Sequence, residues 1–218
     1  MNSPYAILWD LDGVIVDSGK LHFKSFVAIF KEYGYEFPYS TFLKTFGRNN
    51  DSVIEIAIGH KPDLAMKEDI ITRKEGWYCD HIHGRLKMLP GAMEWLTWFK
   101  SHGFPQAIAS SAPMENVTRS LDEFRLGNFF DAIISGSRIP GKPDPKVFLR
   151  AAAALETSPS RCIVIEDSIA GMQGALAGGM QCITVATTHA KSEFSQATLA
   201  LDSLTDLTEE LIHSLARN

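Results

Sequence analysis

Cysteine is scarce in this chain. Cys79, Cys162 and Cys182 are odd in number and show no C-x-x-C spacing, which argues against a disulfide framework and against a thiolate metal site. They read as reduced thiols, with Cys162 and Cys182 each opening an apolar run and packing as small hydrophobes. Long apolar runs are missing as well. No segment approaches the ~18 consecutive apolar residues of a membrane span, and the N-terminus lacks the basic and apolar regions of a signal peptide, so a cytoplasmic location is expected. There is no dense Lys/Arg run either: 21 basic side chains face 26 acidic ones, for a formal net charge of −5. Nucleic acid and anionic membranes are therefore not the expected partners, and an anionic substrate would require positive charge gathered locally. Internal repeats and low-complexity tracts are also absent; the AAAA run at 151–154 is simply good helix former.

What is present suffices for a full hydrophobic core: 218 residues, 45% of them hydrophobic. From about Phe104 onward, strand-like runs alternate with helical stretches: FPQAIAS, MENVTRSLDEFRL, AIIS, PKVFLRAAAALE, CIVIED, SIAGMQGALAGG and QCITVA, with a short strand and a helix in the tail. That alternation predicts an α/β fold, a doubly wound parallel sheet with helices on both faces. Asp144 and Pro145 punctuate one helix start, and Gly178 and Gly179 close another helix. The rhythm breaks near the front. About a hundred residues separate Asp10 from Ser110, where a βαβ unit needs roughly thirty. The intervening KLHFKSFVAIFKEYG, DSVIEIAIG and DLAMKEDIITRKEGWYCDHI are helix-compatible, with apolar positions at Leu21, Phe23, Phe26, Val27, Ile29 and Phe30. The expected organisation is a core of residues 1–16 and 88–218 with a small helical domain, 17–87, inserted between them.

The stretch WDLDGVIVDS, Trp9 to Ser18, follows a buried strand read from PYAIL and holds two aspartates at one spot, because residues two apart in extended backbone point the same way. Gly13 permits a sharp turn, and Asp17 and Ser18 offer a helix start. Ligands of open parallel sheets bind beyond the carboxyl ends of the strands. Those ends carry Asp10 and Asp12, then Ser110 and Ser111, then a loop to Lys142, then Glu166 and Asp167. A carboxylate can attack phosphorus and a second can shuttle the leaving group's proton. Phosphate, Asp10 and Asp167 would bring roughly four negative charges together, which Mg²⁺ on oxygen ligands would offset. Lys142 and the serine hydroxyls would hold the phosphoryl group beside helix N–H groups. Taken singly, Ser110 or Asp167 also suits a helix cap and Lys142 an ordinary loop; taken in order, the set points to phosphoryl transfer.

These motifs resemble the haloacid dehalogenase superfamily, largely Mg²⁺-dependent phosphohydrolases: DLDGVIVDS, IASSAP, GKPDP and VIEDSIAGMQGA stand for its four motifs, and 17–87 resembles the helical cap of its phosphoglucomutase-like branch. The resemblance implies Asp10 as nucleophile, Asp12 as general acid/base, Ser110, Ser111 and Lys142 as phosphate binders, and a metal site of Asp10, Asp167, Glu166 and Asp12 through its backbone carbonyl. Asp12 and Asp167 argue against halide displacement, which needs neither a protonated leaving group nor a metal, and Asp12 argues against the phosphonate-cleaving relatives, which generally lack an aspartate at that position. Two activities stay open. Ala112 and Pro113 after Ser111 resemble sugar-phosphate phosphatases, whereas His22, Arg48 and Lys74 resemble positions of β-phosphoglucomutases. A small phosphorylated metabolite is the expected partner and a monomer the expected state.

Three features are set aside. Residues Gly136–Pro143, GSRIPGKP, nearly match a nucleotide-binding P-loop, but Pro143 removes the required hydroxyl. His81 and His83 stand two apart on a helix and point in different directions. Trp95, Trp98 and Phe99 have the spacing of core packing.

Overall fold

The computed structural model describes residues 5–216; Pro4, read above with the first strand, and the outermost residues of the two expected core segments lie outside the described residues. Six strands, β1 (Ala6–Trp9), β2 (Gln106–Ser110), β3 (Ala132–Ser135), β4 (Cys162–Glu166), β5 (Gln181–Val185) and β6 (Leu199–Leu201), form one sheet in the order β3-β2-β1-β4-β5-β6. Every neighbouring pair is parallel. The chain therefore runs outward one way from β1 to β3, then crosses to the other side of β1. The reversal lies between β1 and β4, and the residues just past their carboxyl ends are Asp10 and Asp167.

Between β1 and β2 come α1 (Gly19–Glu32), α2 (Tyr39–Thr45), α3 (Asn50–Ile58), α4 (Leu64–Ile82) and α5 (Ala92–Ser101). The Asn49 side chain accepts from the Ser52 N–H and Asp63 from the Met66 N–H, so α3 and α4 each start on a capping side chain. Helix α2 carries no anticipating pattern, being only 7 residues long; burial of Phe42 and Thr45 holds it. Phe26, Ile29 and Phe30 of α1 meet Phe37, Phe42, Phe46, Val53, Ile54 and Ile70 in an apolar cluster of their own, whereas Val27 is exposed on the outer face. Two adjacent crossings join this helical segment to the sheet: the Asp17 N–H donates to Lys87 O at 2.8 Å and the Leu89 N–H to Ile15 O at 2.9 Å.

The remaining helices are α6 (Met114–Glu123), α7 (Lys146–Ala154), α8 (Ile169–Ala177) and α9 (Glu209–Leu215). Strand side chains alternate between two apolar layers. Ile7, Trp9, Ile108, Ile163 and Ile165 pack with Trp95 and Phe99 of α5, Val117 of α6 and Ile212 of α9. Ala6, Leu8, Ala107, Val164 and both buried cysteines pack with Phe148 of α7 and Met172 of α8. Helix α7 begins one residue after the expected first-turn proline, with Asp144 accepting from the Lys146 N–H at 2.9 Å. Ser18, expected to cap α1, spends its hydroxyl elsewhere. No helix among the described residues is long and apolar enough to cross a membrane.

Phe30 is fully buried at the centre of the aromatic cluster. Phe30→Ala is expected to cost ~3–5 kcal/mol of unfolding free energy. Urea denaturation monitored by circular dichroism measures it, and a loss under ~1 kcal/mol would mean the cluster contributes little to stability.

Candidate active site

Lys142 is buried at the reversal of strand order, and its ammonium reaches Asp10 Oδ1 and Glu166 Oε1, each at 2.5 Å. Burial works against the lysine charge, but the two carboxylates more than offset it and hold the ammonium above its ordinary value. Glu166 is fully engaged. Its other oxygen accepts from the Asp167 N–H, the Ser168 N–H and the Ser168 hydroxyl, at 3.0, 3.0 and 2.9 Å. The Ser168 hydroxyl in turn caps α8 by accepting from the Gly171 N–H. Among the described residues Lys142 is the only recorded side-chain partner of Asp10, and it takes Oδ1, which leaves Oδ2 available to the cavity that Asp10 lines.

Asp167 completes the cluster. One oxygen each from Asp10, Glu166 and Asp167 lies within 4.8 Å of the others. Asp167 Oδ2 accepts from the Thr187 and Thr188 hydroxyls, while Oδ1 is buried with no hydrogen-bond partner. A Cβ at Gly13, whose φ is +84°, would stand 1.9 Å from Asp167 Oδ2, so only glycine lets the turn after Asp12 approach so closely. Three buried carboxylates share one ammonium, and burial pushes Asp10 up to about 8, with Lys142 opposing the rise and Glu166 and Asp12 adding to it. Asp167 is raised for the same first reason, burial, reinforced by Glu166 and Asp10. An orphaned buried oxygen, an all-oxygen donor set and uncompensated negative charge fit a hard divalent cation. Because Glu166 already accepts four hydrogen bonds, its clearest task is to anchor Lys142 and the start of α8.

Asp12 faces the same cavity but has separate partners. The Ser18 hydroxyl donates to its Oδ1 at 2.5 Å and His22 Nε2 lies 3.2 Å from the same oxygen. Lys74 Nζ lies 3.1 Å from His22 Nδ1. An ammonium only donates, so Nδ1 accepts, the ring proton sits on Nε2, and His22 donates to Asp12. Tyr78 stacks on the imidazole with centroids 4.1 Å apart and fixes its plane. Burial opposes ionisation of Asp12, yet His22, Ser18 and Lys74 more than offset it and hold this carboxyl below the ordinary carboxylate range.

The structure brings Asp10, Asp12, His22, Arg48, Lys74 and Ser111 onto one cavity. Ser111 donates to Gly47 O, across the seam to the α2–α3 loop, at 2.7 Å. Ser110 is buried behind it, its oxygen accepting from the Ala112 N–H at 3.1 Å. Arg48 Nε is buried there without a partner. His81 and His83 diverge, the first bonding Trp77 O and the second Glu123. Sequence reasoning missed Glu75, Asn50, Asn116, Thr187 and Thr188. The two threonines follow β5, so the strand-end rule would have found them; the other three carry no such signal.

Residues 7–185 match the model of the haloacid dehalogenase-like hydrolase family. The chain is 29% identical over 216 residues to hexitol phosphatase B of Escherichia coli O157:H7, covering 95% of this chain and 97% of that one. It is 30% identical over 216 residues to the β-phosphoglucomutase of Bacillus subtilis, covering 95% and 93%. Among solved structures, a family IA haloacid dehalogenase hydrolase of Entamoeba histolytica superposes with a TM-score of 0.87 at 26% identity, covering 98% of this chain and all (100%) of that one.

The charge imbalance makes stability depend on pH. Unfolded Asp10 ionises near 3.8 whereas the folded residue keeps its proton up to about 8, so between those values the folded state binds more protons and metal-free stability falls as pH rises. Asp12 has the opposite sign: its contribution is full above its ordinary 3.8 and is lost only as pH falls below that value. A divalent cation held by this cluster is expected to raise the melting temperature, and by more at pH 8 than at about pH 5. Scanning fluorimetry with Mg²⁺ or EDTA reads this; an equal shift at both pH values would contradict the assignment.

Proposed function

The chain belongs to the haloacid dehalogenase-like hydrolases, and we propose that it is a Mg²⁺-dependent phosphatase that hydrolyses a small sugar or sugar-alcohol monophosphate through an aspartyl-phosphate on Asp10. The observation that carries this reading is the division of labour on Asp10: Lys142 holds Oδ1, and Oδ2 is left to the cavity beside Asp12. In the first half-reaction Oδ2 attacks phosphorus while the bond to the leaving oxygen breaks, and Asp12, ionised in the free site, gives that oxygen a proton it has taken up from solvent as the anionic substrate enters beside it. In the second, Asp12 takes a proton from water as the water oxygen attacks the aspartyl-phosphate, releasing inorganic phosphate and restoring Asp10. Lys142 keeps its charge throughout and bears on the transferring oxygens together with the Ser110 and Ser111 hydroxyls. Asp10, Asp167 and the Asp12 carbonyl, with Glu166 beside them, are the residues that would hold Mg²⁺, which offsets phosphate charge as an anionic nucleophile approaches.

Residues 17–87 act in this reading as a cap that excludes bulk water. The Lys74–His22 pair supports that role, because it keeps Asp12 oriented from the cap side and its donors favour an ionised carboxylate ready to receive a water proton. The cap also touches the phosphate site through Gly47, whose carbonyl holds Ser111; a bound phosphoryl group would compete for that hydroxyl and so couple substrate entry to the seam.

A second reading, phosphoryl transfer between hydroxyls of one sugar, has its own support in the 30% identity to a β-phosphoglucomutase and in Arg48, a cationic side chain lining the cavity. Ala112 and Pro113 speak for hydrolysis, offering neither hydroxyl nor ammonium to a second phosphate. Asp10→Asn is expected to abolish turnover of sugar monophosphates under saturating Mg²⁺, and Asp12→Asn to lower kcat by ~10²–10⁴. Release of inorganic phosphate measures both, and retained activity in Asp10→Asn would rule out the nucleophile. Supplied with β-glucose 1-phosphate and a bisphosphate primer, the wild type should release phosphate faster than it forms glucose 6-phosphate; the reverse order would establish the mutase.

A further inference from the structure

The cavity onto which Asp10 and Asp12 open carries a third carboxylate that the chemistry above does not use. Glu75 lines it, with its side chain only 12% exposed. Three donors from three helices hold it: Lys74 Nζ on α4 and Asn50 Nδ2 on α3 reach Oε1 at 2.9 and 2.5 Å, and Asn116 Nδ2 on α6 reaches Oε2. Burial opposes its charge, but Lys74, His22 and Asn50 overcome that, so Glu75 lies below the usual carboxylate range and stays ionised at neutral pH. Its second oxygen has one recorded donor and therefore spare acceptor capacity.

The rest of the wall shows what kind of group would use that capacity. Phe42, Phe46 and Val53 contribute apolar side chains to it, and Arg48 a guanidinium, the group with N–H donors. A polyhydroxylated chain or ring has C–H faces for the first, and hydroxyls that both donate and accept for the second. A hydroxyl can donate to Glu75 while a neighbouring one accepts from Arg48. A phosphate or carboxylate only accepts; Arg48 would satisfy it but Glu75 would repel it, inside a site where burial weakens screening.

We propose that Glu75 is a specificity-determining residue: its carboxylate accepts hydrogen bonds from hydroxyls of a neutral leaving group and excludes substrates that bear a second anionic group. This deepens the phosphatase reading and rests on it. The role differs from a plain tie between α4 and α6, because a tie would affect all substrates alike and leave their ratio where it was.

The test compares kcat/KM for a hexitol 6-phosphate and for glucose 1,6-bisphosphate, in wild type and Glu75→Gln, with circular dichroism reporting the fold. The wild type should prefer the monophosphate by at least roughly tenfold, and Glu75→Gln should reduce that preference by roughly tenfold or more. The ratio cancels any general loss of activity from a disturbed seam. A wild type that hydrolyses both substrates equally well overturns the proposal without needing the variant, as does a folded variant with an unchanged ratio. Failure of the phosphatase reading looks different: the wild type then releases no phosphate from either compound or from p-nitrophenyl phosphate.

Discussion

One ammonium among three buried carboxylates is the constraint on which the rest of the structure turns. Lys142 bridges Asp10 and Glu166 at the point where strand order reverses, with Asp167 alongside. Such a cluster is costly to bury without a further positive charge, and the folded chain keeps it in place by surrounding it with rigid neighbours. Beneath it β1 and β4 are fully buried. Beside it Glu166 is locked by two backbone N–H groups and a hydroxyl, and Gly13 lets the turn press against Asp167. The energetic burden is borne by the apolar layers on both faces of the sheet, and the site obtains a strong local field in return.

The second level of organisation is the seam between the inserted helices and the sheet. Polar contacts cross it at several points, among them Ser111 to Gly47, Asn49 to Ile139 O, Asn116 to Glu75 and Gly84 N–H to Glu123. Asp12 stands at the same seam and takes its orientation from His22 and Ser18, at the start of the inserted segment. The proposed proton-transfer residue thus answers to the inserted helices, while the proposed nucleophile answers to the sheet. Movement at the two crossings near Val16 and Met88 would change the surroundings of Asp12 far more than those of Asp10.

Much of this was legible in the chain. Four apolar residues in a row followed by Asp-x-Asp implied a buried parallel strand ending in a site, and β1 stops where that pattern stops. The alternation of β-rich and helix-rich runs after Phe104 located β2 to β6 and α6 to α9, because period-2 and period-3.6 patterns follow directly from backbone geometry. Ser18 shows the limit of local rules. It has the chemistry and position of a helix cap, but Asp12, six residues earlier, offers a charged acceptor, and the charge-assisted bond wins.

By itself the sequence determined the fold class, the strand-end carboxylates and the buried lysine's candidacy, since each depends on short-range pattern and on residue chemistry at fixed topological positions. Only the tertiary structure decided which partner each carboxylate takes, that Glu75 and Asn116 meet across 41 positions of chain, and that Asp167 keeps one oxygen unpaired. Those outcomes hang on distances of a few ångströms between elements far apart in sequence, where a hydrogen bond exists or fails with a shift too small for any one-dimensional pattern to record.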